Sequence, residues 1–218
     1  ITGPSGSGKS TLIKFLINNT INLSKELIFI TESKYINQYS FFKATDQQNW
    51  KTDLKCFIPS SIFFIRNAKF LIHLIKILFK LKSHKISIAR SVWRKIGIYN
   101  YYCSKKFKNK IIIIDEGILH TIHNIFVNTD NILNDKDLID FLKLIPKSDI
   151  TIILKAPLDK LISRLNIRGD LSPRIKSSYD LYDFIKSAKN IYDKIEINSK
   201  NNNFILFDTS KLKYEIIF

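Results

Sequence analysis

Gly3-Pro4-Ser5-Gly6-Ser7-Gly8-Lys9-Ser10, with Thr11 behind it, constrains this chain more than any other stretch. The order fits the phosphate-binding loop pattern G-x-x-x-x-G-K-[ST], which sits between a buried strand and a helix. Its glycines let backbone N–H groups turn inward toward phosphate oxygens, because no Cβ blocks the dihedrals needed. Lys9 is then placed for the β- and γ-phosphates and the Ser10 hydroxyl for Mg²⁺. A helix starting near Ser10 aims its positive end at the same anion. A flexible Gly/Ser linker is the alternative, but Lys9-Ser10-Thr11 runs straight into the apolar helical run Leu12–Ile17. Only Ile1 and Thr2 precede the loop and the sequence contains no Met. The first strand is therefore expected to be largely missing from the chain, or supplied from outside it.

The 218 residues suit one domain, 1–218, with a sizeable core, and 45% of them are apolar. Cys56 and Cys103 lie far apart with no CxxC spacing, which argues against a zinc site or a disulfide scaffold and fits a reducing cytoplasm. The net charge of +16 raises a nucleic-acid reading. Lysine, however, supplies 29 of the 35 basic residues, alongside abundant Ile and Asn, as an AT-rich genome would produce. Such a surface still steers anionic small molecules. Three of the six arginines, Arg164, Arg168 and Arg174, share an eleven-residue window, and Arg90 and Arg94 lie one helical turn apart.

Along the chain, short apolar runs alternate with helical stretches. Strands are expected at 26–31, 110–114, 150–155 and 204–208, with the four isoleucines Ile111–Ile114 fully buried. Residues 33–108 read as a helical insertion on the acceptor side. Inside it, Ile62–Lys82 is very apolar, but Arg66, Lys69, His73, Lys76 and Lys80 form a basic stripe that argues against a membrane span. The stripe reads as the solvated edge of a buried helix; lining an acceptor pocket and lying on a membrane surface are its other readings. Strands alternating with helices imply a parallel sheet with helices on both faces and active residues at the strands' carboxyl ends.

Asp115 ends the isoleucine strand and is the expected second Mg²⁺ ligand beside Ser10. Glu116 is a candidate proton acceptor or water-polarising group, a structural bond to backbone being the other reading. His120 reads as a packed histidine or a neighbour of the acceptor. Tyr99, Tyr101 and Tyr102 beside Lys105 and Lys106 are the nearest approach to a nucleic-acid strip. The Asp-x-x-Gly and Asn-Lys-x-Asp patterns of regulatory GTPases and the LSGGQ-like signature of transporter ATPases are absent.

The arrangement resembles the nucleoside- and nucleotide-kinase-like branch of the phosphate-loop NTPases, in a thymidylate-kinase-like form. The resemblance runs from the loop at Gly3–Thr11 through Asp115 and the turn Lys155-Ala156-Pro157-Leu158-Asp159. It continues through Arg164, Arg168-Gly169 and Arg174 to Asp208-Thr209-Ser210. Asp115-Glu116-Gly117 departs from the Asp-Arg of thymidylate kinases, the Glu-Arg-Ser of deoxynucleoside kinases and the Asp-Gly-Phe-Pro-Arg of adenylate kinases. It looks closer to kinase-like proteins of bacterial surface-polysaccharide gene clusters.

The resemblance implies a three-layer α/β fold on a five-stranded parallel sheet, with a helical lid at about 166–176. It implies ATP and Mg²⁺ as cofactors. ATP phosphates would lie in the loop, with Arg164 near them and Lys9, Glu116, Arg168 and Arg174 in catalytic roles. The expected activity is phosphoryl transfer to a small acceptor such as a nucleotide, nucleoside or sugar derivative. The rivals are an ATPase switch read by a protein partner and, less favoured, a nucleic-acid end kinase. Oligomerisation is not indicated.

Overall fold

The computed structural model describes residues 1–20, 27–30, 50–127, 133–168, 178–198 and 203–210. The phosphate-loop pattern leads directly into α1 (Lys9–Thr20), and β1 (Leu27–Ile30) follows. Three helices come next: α2 (Trp50–Arg66), α3 (Ala68–Lys80) and α4 (Lys85–Tyr102). The remaining order is β2 (Ile111–Ile114), α5 (His120–Phe126), α6 (Asp135–Leu144), β3 (Thr151–Lys155), α7 (Leu158–Arg168), α8 (Ser178–Asn198) and β4 (Phe204–Asp208). This is the alternation of strands and helices that the apolar runs predict.

The sheet differs from the expected five strands. The described residues form two parallel pairs, β1 with β2 in register from Leu27–Ile111 to Ile30–Ile114, and β3 with β4 from Thr151–Phe204 to Lys155–Asp208. Ile1 and Thr2 connect them. Ile1 N donates to Ile114 O at 2.9 Å, and Glu116 N donates to Ile1 O at 3.1 Å. On the other side Thr2 N donates to Ile152 O at 2.8 Å and Leu154 N to Thr2 O at 2.9 Å, a parallel bridge to Ile153. Two residues make bridges but are too short to count as a strand. β2 is also less enclosed than four consecutive isoleucines suggest: Ile111 is 60% exposed and the other three are half-buried.

The largest core gathers Phe63, Phe70 and Ile77 with Ile88 and Ile96 of α4, Ile122 of α5, Phe141 of α6, Ile153 of β3 and Ile195 of α8. A second core closes α7 on α8 through Leu161, Leu165, Leu181 and Ile185. Apolar burial of this kind stabilises by roughly 25 cal/mol per Å² removed from water. The apolar run 62–82 breaks at Asn67, so α2 and α3 are separate helices. The basic stripe is split with it. Lys80 of α3 pairs with Asp137 of α6 at 2.6 Å, and the His73 ring lies 6.3 Å from that of Phe141. These two members of the stripe therefore serve the α3–α6 contact. α6 itself starts on a reciprocal capping box between Asn134 and Asp137. Among the described residues no helix is long and apolar enough to cross a membrane.

Gly97 sets how closely α4 approaches α2. A Cβ there would lie 2.6 Å from Ser60 Oγ, 2.7 Å from Cys56 Cβ and 2.9 Å from Cys56 O. Around that crossing Ser60 Oγ donates to Trp93 O at 2.7 Å and Asn100 Nδ2 to Pro59 O at 2.8 Å. Gly97→Ala is expected to destabilise the fold by about 1–3 kcal/mol, as overpacking does. A urea unfolding curve with unchanged slope and a lower midpoint is the expected result.

Candidate functional site

The loop folds as its glycines require. Gly3, Gly6 and Gly8 have φ of 151°, 81° and 92°, a region that side-chain-bearing residues rarely occupy. Space enforces the same choice at Gly6, where a Cβ would meet Leu161 O of α7 at 2.8 Å. Lys9, the first residue of α1, is 9% exposed and curls back over the loop. Its Nζ donates to Gly3 O at 3.0 Å and Pro4 O at 3.3 Å. It also lies 3.3 Å from Glu116 Oε1. The two residues singled out from opposite ends of the candidate site are thus in contact. Ser5, Gly6 and Gly8 are half-buried, while Ser7 is buried and its N donates to Pro4 O at 3.2 Å. Ser10 is exposed and Thr11 half-buried on the first turn of α1.

Glu116 follows β2 in an uncommon conformation, with φ of 51°. For an L-residue with a side chain the left-handed region costs roughly 1–2 kcal/mol, so surrounding contacts must hold it. Its N donates to Ile1 O and its O accepts from Lys95 Nζ at 2.6 Å. Its second carboxylate oxygen lies 3.3 Å from His120 Nε2. The His120 Nδ1 is 3.3 Å from the Tyr192 hydroxyl, which lies 2.9 Å from Thr2 Oγ1. A polar chain therefore runs from Lys9 through Glu116, His120 and Tyr192 to Thr2, just before the loop. The His120 and His123 rings stack at 4.8 Å.

Burial alone would raise the Glu116 carboxyl, but its interactions with His120, Lys9 and Lys95, in that order, outweigh it and hold the group well below the usual carboxylate range. Burial drives His120 well below its ordinary value, against the opposite pull of Glu116. Asp115, beside Glu116, is 6% exposed. Of the two readings of His120, packing and contact with Glu116 describe it.

Arg164 of α7 reaches back to the loop. Its guanidinium donates to Gly6 O at 3.3 Å, Thr209 Oγ1 at 3.0 Å and Thr209 O at 2.7 Å. Thr209 in turn donates from N and Oγ1 to Lys155 O at 2.8 and 3.0 Å. Arg164 joins three segments of the chain here. Arg168 is the last residue of α7, and its side chain falls outside the described residues. Arg174 and most of the expected lid also lie outside them.

Other candidates are committed to the fold. Arg90 and Arg94 of α4 both grip Asp53 of α2, Arg90 Nε at 2.6 Å. Tyr102 is buried, and Tyr99 donates to Lys147 O at 3.1 Å, so the tyrosines form no open strip. Burial raises the Cys56 thiol to about 12, while Cys103 is exposed; both are free thiols. Sequence reasoning did not single out Lys95 or Tyr192. One lysine among 29 carries no signal, and a tyrosine on an amphipathic helix reads as core.

Fold and site together define a mixed α/β protein on parallel strands, with a glycine loop whose lysine meets the acidic end of a neighbouring strand. Among solved structures, it is similar to deoxyadenosine kinase from M. mycoides with bound dATP, at 19% identity and a TM-score of 0.48 over 99% of this chain and 93% of that one. It is likewise similar to the same enzyme with bound dCTP, at 20% identity and a TM-score of 0.46 over 99% and 92%. No family model and no curated protein matches the chain.

Proposed function

We propose that the chain is an ATP- and Mg²⁺-dependent phosphotransferase acting on a small acceptor. The observation that carries the reading is the contact of Lys9 Nζ with Glu116 Oε1 at 3.3 Å, on a loop of three positive-φ glycines. We read the two strand pairs and Ile1–Thr2 as parts of one five-stranded parallel layer. That layer would set the loop and Asp115-Glu116 side by side at the carboxyl ends of neighbouring strands.

The residues divide the work by chemistry. Loop N–H groups and the start of α1 bind phosphate oxygens. Lys9 exchanges the Gly3 and Pro4 carbonyls for the nucleotide's phosphates and offsets the charge that spreads over the transferred group. Ser10 and Asp115 offer hard oxygen donors of the kind Mg²⁺ prefers, so the donor set fits that ion. When bound, Mg²⁺ would neutralise phosphate charge. Glu116 orients the acceptor group, as a hydrogen-bond acceptor for a hydroxyl or as a positioning residue where the acceptor is itself a phosphate. Arg164 fixes the loop's shape through Gly6 O, and Arg168 and Arg174 are proposed as the cations that close over the transferred phosphoryl group. Of the tyrosines that would have favoured nucleic acid, Tyr102 is buried and Tyr99 and Tyr101 are half-buried.

The test is γ-labelled ATP with Mg²⁺ and pools of nucleosides, nucleoside monophosphates, sugars and short oligonucleotides. Label on a small acceptor is the expected outcome. Label released only as free phosphate, at one rate with every pool, would overturn the reading and favour an ATPase switch.

A further inference from the structure

Glu116 sits in a conformation that its own sequence does not favour, and the Lys95 side chain of the distant helix α4 contacts its peptide. Lys95 is 6% exposed, on the face of α4 that also buries Val92 and Ile96. Its Nζ donates to Glu116 O at 2.6 Å. An ammonium is rarely buried unless it is paired and hydrogen-bonded. A simpler core would carry an apolar residue here, as Val92 and Ile96 do on the same helix. The Lys95 contact is to the main chain of the one non-glycine residue next to the loop's acid that holds a positive φ. Holding that peptide fixes where the side chain starts, and from there the carboxylate reaches Lys9 on one oxygen and His120 on the other.

We infer that Lys95 is a positioning residue: its ammonium holds the Glu116 peptide in the left-handed conformation and thereby sets the carboxylate against Lys9. The inference rests on the phosphotransferase reading for what Glu116 then does. It also gives α4 a direct mechanical link to the phosphate loop, running from Lys95 through Glu116 to Lys9. A displacement of about 1 Å in a reacting group can cost on the order of 100-fold in rate, so the link is worth holding tightly.

Two measurements test it. The first needs no ligand. Backbone chemical shifts of Glu116, assigned by NMR, should be retained in Lys95→Arg and should move toward ordinary extended or helical values in Lys95→Met. The second is label transfer by these variants, by Glu116→Gln and by the double variant Lys95→Met/Glu116→Gln. Lys95→Met should lower kcat about tenfold or more while KM for ATP changes less than about twofold, and Lys95→Arg should restore most of the rate. In the Glu116→Gln background the same change should cost less than about twofold, because the residue it acts through is gone.

Unmoved Glu116 shifts in Lys95→Met, or an equal loss in both backgrounds, would overturn the inference. If the Met variant does not fold, Lys95→Ala, which likewise removes the donor to the carbonyl, is read in the same way. Unfolding of both would overturn it in favour of a lysine needed only for folding. Absence of label transfer by the wild-type protein would instead strike the phosphotransferase reading and leave the shift measurement to decide Lys95.

Discussion

Lys9→Met is expected to reduce phosphoryl transfer roughly 100- to 1000-fold, the usual consequence of removing a donor aimed at charge that develops in the transition state. The same change leaves Glu116 without the ammonium 3.3 Å away. Removing one partner of an enclosed ion pair strands the other charge, so the melting temperature should fall as well. The two effects separate in the double variant Lys9→Met/Glu116→Gln, which removes the stranded charge. Its melting temperature should recover toward that of the parent, while transfer stays lost. Recovery of transfer in the double variant would mean that Lys9 serves only as the counter-ion of Glu116, and its proposed role on the phosphates would fall.

Gly3→Ala is expected to have the largest effect on stability. At φ of 151° a Cβ would meet Leu154 O at 2.6 Å and Ser7 Oγ at 2.7 Å. The backbone oxygen cannot swing away as a side chain can, since Leu154 belongs to β3 and its N donates to Thr2 O. Backbone strain and overpacking together should cost on the order of 3 kcal/mol, or about 10 °C in melting temperature for a chain of this size. ATP affinity should weaken with it, because Lys9 Nζ bonds to the carbonyl of this same residue. A variant that melts and binds ATP like the parent would show that the loop tolerates a side chain at this turn.

Much of the fold was legible because local patterns and tertiary packing agree. The apolar runs expected as strands at 26–31, 110–114, 150–155 and 204–208 contain the strands 27–30, 111–114, 151–155 and 204–208. Lys9, Arg164 and Glu116, marked in the sequence by a motif, a scarcity and a place beside Asp115, lie close to the loop, while their roles belong to the proposed function. What escaped depends on partners distant in sequence. Asn67 breaks a run that hydropathy reads as one helix, and nothing local marks the break. The spacing of Arg90 and Arg94 does not point to Asp53, 37 positions before the first of them, which both contact. The burial of β2 was overestimated because apolar composition reports preference for the interior rather than coverage by neighbours. Lys95 and Tyr192 act through a carbonyl and a hydroxyl that no spacing rule connects to them.

Arg164 ties the loop to Thr209, and its bond to Gly6 O spans 158 positions of sequence. Contacts between such distant positions form only after long loops close. During synthesis the glycine motif emerges well before its clamp, because Arg164 and Thr209 follow Gly6 by 158 and by about two hundred positions. A nascent chain therefore carries the sequence of a phosphate site well before it has the finished loop. Under the proposed function, nucleotide capture would follow the docking of β4 rather than the appearance of the motif.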